Sequence, residues 1–184
     1  MAKSRKSRKT GVLSTLQIKN KYPGAGLASE ISFDSDNSLW LPSRCIPLTY
    51  AMGGGIPYGK ILELYGMESS GKTLIALDFG SVAQSLCGEV LMNDAEMAFT
   101  KEWAIKNGLD PTKIHLYQET AVEPVSDWLM DTALSIRSRL TNNEPILFIQ
   151  DSIAALDCLA NINSSQSESK AEMGNRAKAI YKMV

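Results

Sequence analysis

The segment Gly66-Met67-Glu68-Ser69-Ser70-Gly71-Lys72-Thr73 constrains this chain more than any other stretch, because its chemistry works only where a strand runs into a helix. It has the spacing G-x-x-x-x-G-K-T, with an apolar run over residues 61–65 before it and an apolar-faced stretch over 72–86 after it. Glycines permit backbone conformations that turn successive amide groups inward, and the start of the following helix adds its positive dipole end. Such a loop cradles a polyphosphate. Lys72 brings a full positive charge to the β and γ phosphates, and the Thr73 hydroxyl suits Mg²⁺. Ordinary residue frequencies give a chance match on the order of one per cent in a chain this long. A nucleoside triphosphate with Mg²⁺ is the predicted ligand.

The text around this loop alternates. Residues 61–65 read as a strand, 72–86 as a helix, 89–93 as a strand, 101–107 as a helix, 113–117 as a strand, 125–140 as a long helix and 146–150 as a strand. Strands separated by crossover-length helices imply parallel βαβ units, so the predicted class is α/β, a mostly parallel sheet flanked by helices. Upstream, residues 12–22 have the spacing of a short helical arm, and 24–49 read as a connecting region. Three segments are expected: a basic flexible tail over 1–11, a helix and connector over 12–49, and a core over 50–184. A final amphipathic helix over 172–184 is cut off in mid-face, which predicts a core truncated at its C-terminal end.

Composition narrows the setting. With 44% hydrophobic and 21% charged residues in 184, the chain can bury a substantial core. A net charge of −1 confines nucleic-acid contact to local patches, such as Lys3, Arg5, Lys6, Arg8 and Lys9 in the tail. Cys45, Cys87 and Cys158 are widely spaced and form no CxxC pair, which indicates neither a disulfide framework nor a zinc site and fits a reducing cytoplasm. No run approaches the roughly 18 apolar residues of a membrane span.

Two further strands end in acids. Ile146-Leu147-Phe148-Ile149-Gln150 runs into Asp151, where a nucleotide domain places its second Mg²⁺ anchor. Glu89-Val90-Leu91-Met92-Asn93 runs into Asp94-Ala95-Glu96, and either acid suits the role of orienting or deprotonating an attacking water.

Together, the loop at 66–73, Asp94-Ala95-Glu96 and Gln150-Asp151-Ser152-Ile153-Ala154-Ala155-Leu156 resemble the RecA recombinases. The likeness extends to Gly53-Gly54-Gly55-Ile56-Pro57-Tyr58-Gly59-Lys60 and to Met173-Gly174 followed by Ala177-Lys178. Circadian-clock ATPases and replicative helicases share the glycine loop but lack the Glu68-Ser69-Ser70 and Asp94-Ala95-Glu96 wording. The resemblance implies a P-loop NTPase of RecA type, with ATP and Mg²⁺ as cofactors. Gly66, Glu68, Ser69, Ser70, Gly71, Lys72, Thr73 and Leu74 then hold the nucleotide, Thr73 and Asp151 the metal, and Glu96 polarises water while Lys72 assists at the phosphates. Asp94 becomes structural. Trp103 stands where the family has a tyrosine stacked on adenine, and Thr100 where it has an aspartate at the adenine edge. Gln150 replaces an apolar residue and needs a partner if buried.

The resemblance also implies a first DNA-binding loop over 157–172, with Met173 and Lys178 meeting single-stranded DNA. It implies a following strand between those at 61–65 and 146–150, so the central sheet of these residues alone is expected to be incomplete and their ATP turnover weak. The leading expectation is a DNA-dependent ATPase of recombination and repair, which binds single- and double-stranded DNA as a helical homo-oligomeric filament. The alternatives are a non-catalytic nucleotide-binding regulator and a RecA-fold helicase subunit. His115 and Trp128 read as structural.

Overall fold

The computed structural model of the protein describes residues 20–22, 39–141, 143–162 and 169–183. The chain divides into two units, Met1–Ser38 and Leu39–Val184. In the first, Asn20 and Lys21 are helical and Tyr22 is exposed; residues 12–19 of the expected arm and the basic tail lie outside the described residues.

The second unit opens with β1 (Trp40–Leu41) and helix α1 (Ile46–Ala51), and β2 (Ile56–Pro57) then pairs antiparallel with β1. Residues 39–49 were expected only to connect, yet Leu41 is 3% exposed and joins the core. Two-residue strands are too short for a period-two pattern to declare itself. Ser43 and Arg44 tie the same stretch to Asp78, with Ser43 Oγ donating to Oδ2 at 2.5 Å and Arg44 Nε to Oδ1 at 2.6 Å.

Helix α2 (Lys72–Ser85) leads into β3 (Glu89–Asp94), followed by α3 (Lys101–Lys106), β4 (Ile114–Tyr117), α4 (Val122–Arg137) and β5 (Ile146–Asp151). The three long strands form one parallel sheet in the order β4-β3-β5. All six residues of the central strand β3 are buried, as parallel sheets covered on both faces require. Leu147 and Ile149 of β5 pack with Leu77 and Phe79 of α2 and with Val90 and Met92, whereas Phe148 turns to a second cluster with Val122 and Val125 of α4. That period-two alternation puts α2 on one face and α4 on the other. Gly80 allows the close approach of α2, since a Cβ there would lie 3.0 Å from Leu109 Cδ2.

The last elements are α5 (Leu159–Ile162) and α6 (Ser169–Met183). Ala179, Ile180 and Met183 of α6 pack onto the α4 cluster, so part of the apolar face expected to await a further strand is covered by a helix. Tyr181 remains exposed.

One expected strand is absent. Residues 60–66 adopt no regular secondary structure, with Ile61 72% and Tyr65 89% exposed. An apolar run becomes a strand only beside a partner that satisfies its N–H and C=O groups. Among the described residues β5 pairs with β3 alone, and nothing pairs with its other edge. Helix α4 begins before the expected residue 125 because Pro124 sits in its first turn, where no intrahelical N–H is needed. β4 starts at Ile114 because Pro111–Lys113 form a 3₁₀ turn capped by Asp110, whose carboxylate accepts from Thr112 N at 2.9 Å.

Candidate nucleotide site

The loop 66–73 bends through Ser69 and Gly71, whose φ angles are 58° and 88°. The left-handed turn at Gly71 directly precedes α2 and suits a residue without Cβ. Lys72 Nζ curls back over the loop and donates to Gly66 O at 3.0 Å and Met67 O at 2.8 Å. The ammonium is therefore held against the loop.

Thr73, in the first turn of α2, donates from Oγ1 to Asp151 Oδ2 at 2.7 Å. This puts a hydroxyl and a carboxylate at one point, across the mouth between α2 and the C-terminal end of β5. Hard oxygen donors of this kind suit Mg²⁺, which is usually held by one or two protein groups together with substrate phosphates and water. Among the described residues no three His, Cys, Asp or Glu groups converge as a self-sufficient metal cage. The donor set thus fits a metal that arrives with its nucleotide.

Glu96 lies on the loop after β3, and Ser152 Oγ donates to its Oε1 at 2.6 Å. Asp94, 1% exposed, holds that loop in shape: it accepts from Ala98 N at 3.2 Å, Phe99 N at 2.9 Å and Gln118 Nε2 at 3.0 Å. The two acids left open by the strand pattern thereby separate: Asp94 is buried and taken up by the Ala98 and Phe99 amides and Gln118 Nε2, whereas Glu96 is exposed at the cleft. Thr73, Asp94, Glu96, Trp103 and Asp151 line one cleft of about 190 Å³. Trp103 also packs against the core cluster, so it serves both surfaces. Thr100 caps α3, its Oγ1 accepting from Trp103 N at 3.2 Å. Glu68, Ser70 and Leu74 fall on the loop and the first turn of α2, with Leu74 49% exposed.

The partner that Gln150 requires is Asn93, its register partner on β3. Asn93 is fully buried and donates from Nδ2 to Gln150 Oε1 at 3.1 Å and to Glu119 O at 3.0 Å, while its Oδ1 accepts from Glu119 N at 3.1 Å. Gln150 Nε2 donates onward to Ser152 O at 3.4 Å. Sequence reasoning flagged Gln150 but missed Asn93; two polar residues at the same depth of adjacent apolar strands were the available signal.

At the opposite end of the sheet, Glu89 pairs with Arg139 through both guanidinium Nη atoms and with His115 Nε2 at 2.6 Å. Burial would raise the Glu89 carboxyl, but the bonds from Arg139 and His115 outweigh it and hold it below its ordinary range. Asp78 is lowered in the same way, with burial opposed by Ser43 and Arg44. Neither group faces the cleft.

The expected DNA contacts lie elsewhere. Lys178 on α6 borders a separate cleft of about 350 Å³ between α4 and α6, together with Glu123, Asp127 and Lys182. Met173 belongs to the same helix, and residues 163–168 of the expected loop lie outside the described residues.

The family model described as the RecA N-terminal domain matches residues 16–184. The chain belongs to the RecA family. Protein RecA of Petrotoga mobilis is 36% identical over 167 residues, covering 88% of this chain and 42% of that protein. Protein RecA of Bacteroides thetaiotaomicron is 32% identical over 174 residues, covering 92% and 50%. The chain spans half or less of the length of these RecA relatives. Its parallel sheet flanked by helices agrees with a RecA-type fold, on a small scale. No described helix is long and apolar enough to cross a membrane.

Proposed function

We propose that the protein is a DNA-dependent ATPase of homologous recombination, acting from the cytoplasm with Mg²⁺ and binding single- and double-stranded DNA as a filament of its own copies. The observation that carries the ATP site is the Thr73 Oγ1 to Asp151 Oδ2 contact at 2.7 Å, in the same cleft as Glu96. Membership of the RecA family supports the recombination and DNA terms.

In this reading the amides of 66–73 and the Lys72 ammonium bind the phosphates, and Trp103 offers its indole face to the base. Bound Mg²⁺ would be held by Thr73 and Asp151 and would neutralise charge on the phosphate oxygens. Glu96 accepts a proton from the water that attacks the terminal phosphorus as the bond to the bridging oxygen breaks and ADP leaves, and Ser152 keeps the Glu96 carboxylate turned to the cleft. Lys178 and Met173 of α6 meet the single strand. The expected arm over 12–22 joins neighbouring copies.

The test is ATP turnover by the full-length natural chain with and without single-stranded DNA. Mg²⁺-dependent turnover that rises with DNA supports the reading. Turnover indifferent to DNA removes the recombinase term, and no turnover removes the enzyme.

A further inference from the structure

Arg176 of α6 donates from one guanidinium nitrogen, Nη2, to Ile153 O at 3.2 Å and Ala154 O at 2.8 Å. Both carbonyls belong to the 3₁₀ turn Ile153–Ala155, which begins directly after Ser152. Ile153 O also accepts from Leu156 N at 3.2 Å within the turn, and one guanidinium nitrogen with two N–H donors is well placed to bridge these neighbouring carbonyls.

Ser152 is the residue that donates to Glu96. Its own carbonyl accepts from Ala155 N at 3.3 Å and from Gln150 Nε2 at 3.4 Å. The turn is therefore fixed on one side by the Asn93–Gln150 amide pair and on the other by Arg176, with Ser152 and its hold on Glu96 between them. Arg176 also shares a helical face with Ala179, Ile180 and Met183, the residues that seat α6 against α4, since these follow it at i+3, i+4 and i+7. Whatever sets the seating of α6 sets the place of this guanidinium.

We propose that Arg176 is a positioning residue that links the seating of α6 to the placement of Glu96, through the turn Ile153–Ala155 and Ser152. The proposal rests on the reading above, in which the cleft hydrolyses ATP and α6 meets single-stranded DNA, and it names the route that joins them. A single strand that favours seated α6 stabilises the ordered turn. By linkage, nucleotide held against an ordered turn then favours DNA by the same factor.

The experiment uses the full-length natural chain, Arg176→Gln and Arg176→Lys. Affinity for an oligothymidylate is measured with and without a non-hydrolysable ATP analogue and Mg²⁺, together with kcat and KM for ATP at saturating DNA. In Arg176→Gln the factor by which the analogue tightens DNA binding falls about fivefold or more, and kcat falls while KM holds. Arg176→Lys recovers most of both, because an ammonium still supplies donors for two carbonyls. An unchanged coupling factor and kcat, or a rise in KM alone, overturns the role of Arg176 and leaves the ATP reading standing. Absence of Mg²⁺-dependent hydrolysis by the unaltered chain overturns both.

Discussion

Ser152 Oγ donates to Glu96 Oε1 at 2.6 Å across 56 residues of sequence, and Thr73 Oγ1 reaches Asp151 Oδ2 at 2.7 Å across 78. Because Asp151 and Ser152 are neighbours at the end of β5, these bonds bring the loop 66–73, Asp151 and Glu96 to one place. The parallel register of β3 with β5, which pairs Asp94 with Asp151, makes this possible. Loops at the carboxyl ends of adjacent parallel strands are where open α/β sheets gather their ligands.

Removing the Ser152 hydroxyl leaves Glu96 in place without its donor. A hydrogen bond to a charged group contributes about 1.5–3 kcal/mol, and in a cleft open to water the lower end applies. Ser152→Ala should lower kcat for ATP roughly tenfold with KM unchanged, measured by steady-state turnover of the full-length chain.

Asp151→Asn keeps the shape of the β5 end but removes its charge. The Mg²⁺ concentration that half-saturates nucleotide binding should rise about 10-fold or more, read from a Mg²⁺ titration with a fluorescent ATP analogue. Binding with unchanged Mg²⁺ dependence would show that Asp151 does not serve the metal.

The Asn93–Gln150 pair should behave as a unit. Asn93→Leu strands the part-buried Glu119 backbone groups and the Gln150 amide, and costs about 1–3 kcal/mol for the groups left unpaired. Combining Asn93→Leu with Gln150→Leu should cost less than the sum of the single changes, because the second removes a partner already orphaned. Urea unfolding of the two singles and the double measures the difference. Strict additivity would mean that the amides do not interact.

Glu89 supplies a pH dependence whose sign is fixed by its lowered carboxyl. Its stabilisation is present above the ordinary value of 4.5 and is lost as pH falls through the lower folded-state value. Arg139→Ala removes the strongest partner while burial remains, so the folded-state value moves up. Thermal melts across the acid range should show the variant losing stability at a higher pH than the unaltered protein.

Phe79 is 1% exposed at the centre of the α2 face. Phe79→Ala should destabilise the protein by about 3–5 kcal/mol in denaturant titrations, through lost burial and a residual cavity.

The loop at 66–73, the helices around the sheet and the strands at Glu89 and Ile146 were legible because each combines a strong period with local turn chemistry. The RecA resemblance implied a structural Asp94, and the structure ties its carboxylate to the Ala98 and Phe99 amides and to Gln118 Nε2. What sequence could not show was pairing. An apolar run at 61–65 reads as a strand whether or not a neighbour is there to bond it, and here it stays exposed. Arg176 was equally silent, since its acceptors are backbone carbonyls, which every residue has.

The central claim is that the loop 66–73, Asp151 and Glu96 make one Mg²⁺-ATP site. Its most direct test compares nucleotide binding with turnover in Lys72→Ala and Glu96→Gln of the full-length chain. Lys72→Ala should lose both, while Glu96→Gln should keep Mg²⁺-dependent binding and lose turnover by about 100-fold or more. Turnover undiminished in Glu96→Gln, or nucleotide binding undiminished in Lys72→Ala, would contradict it.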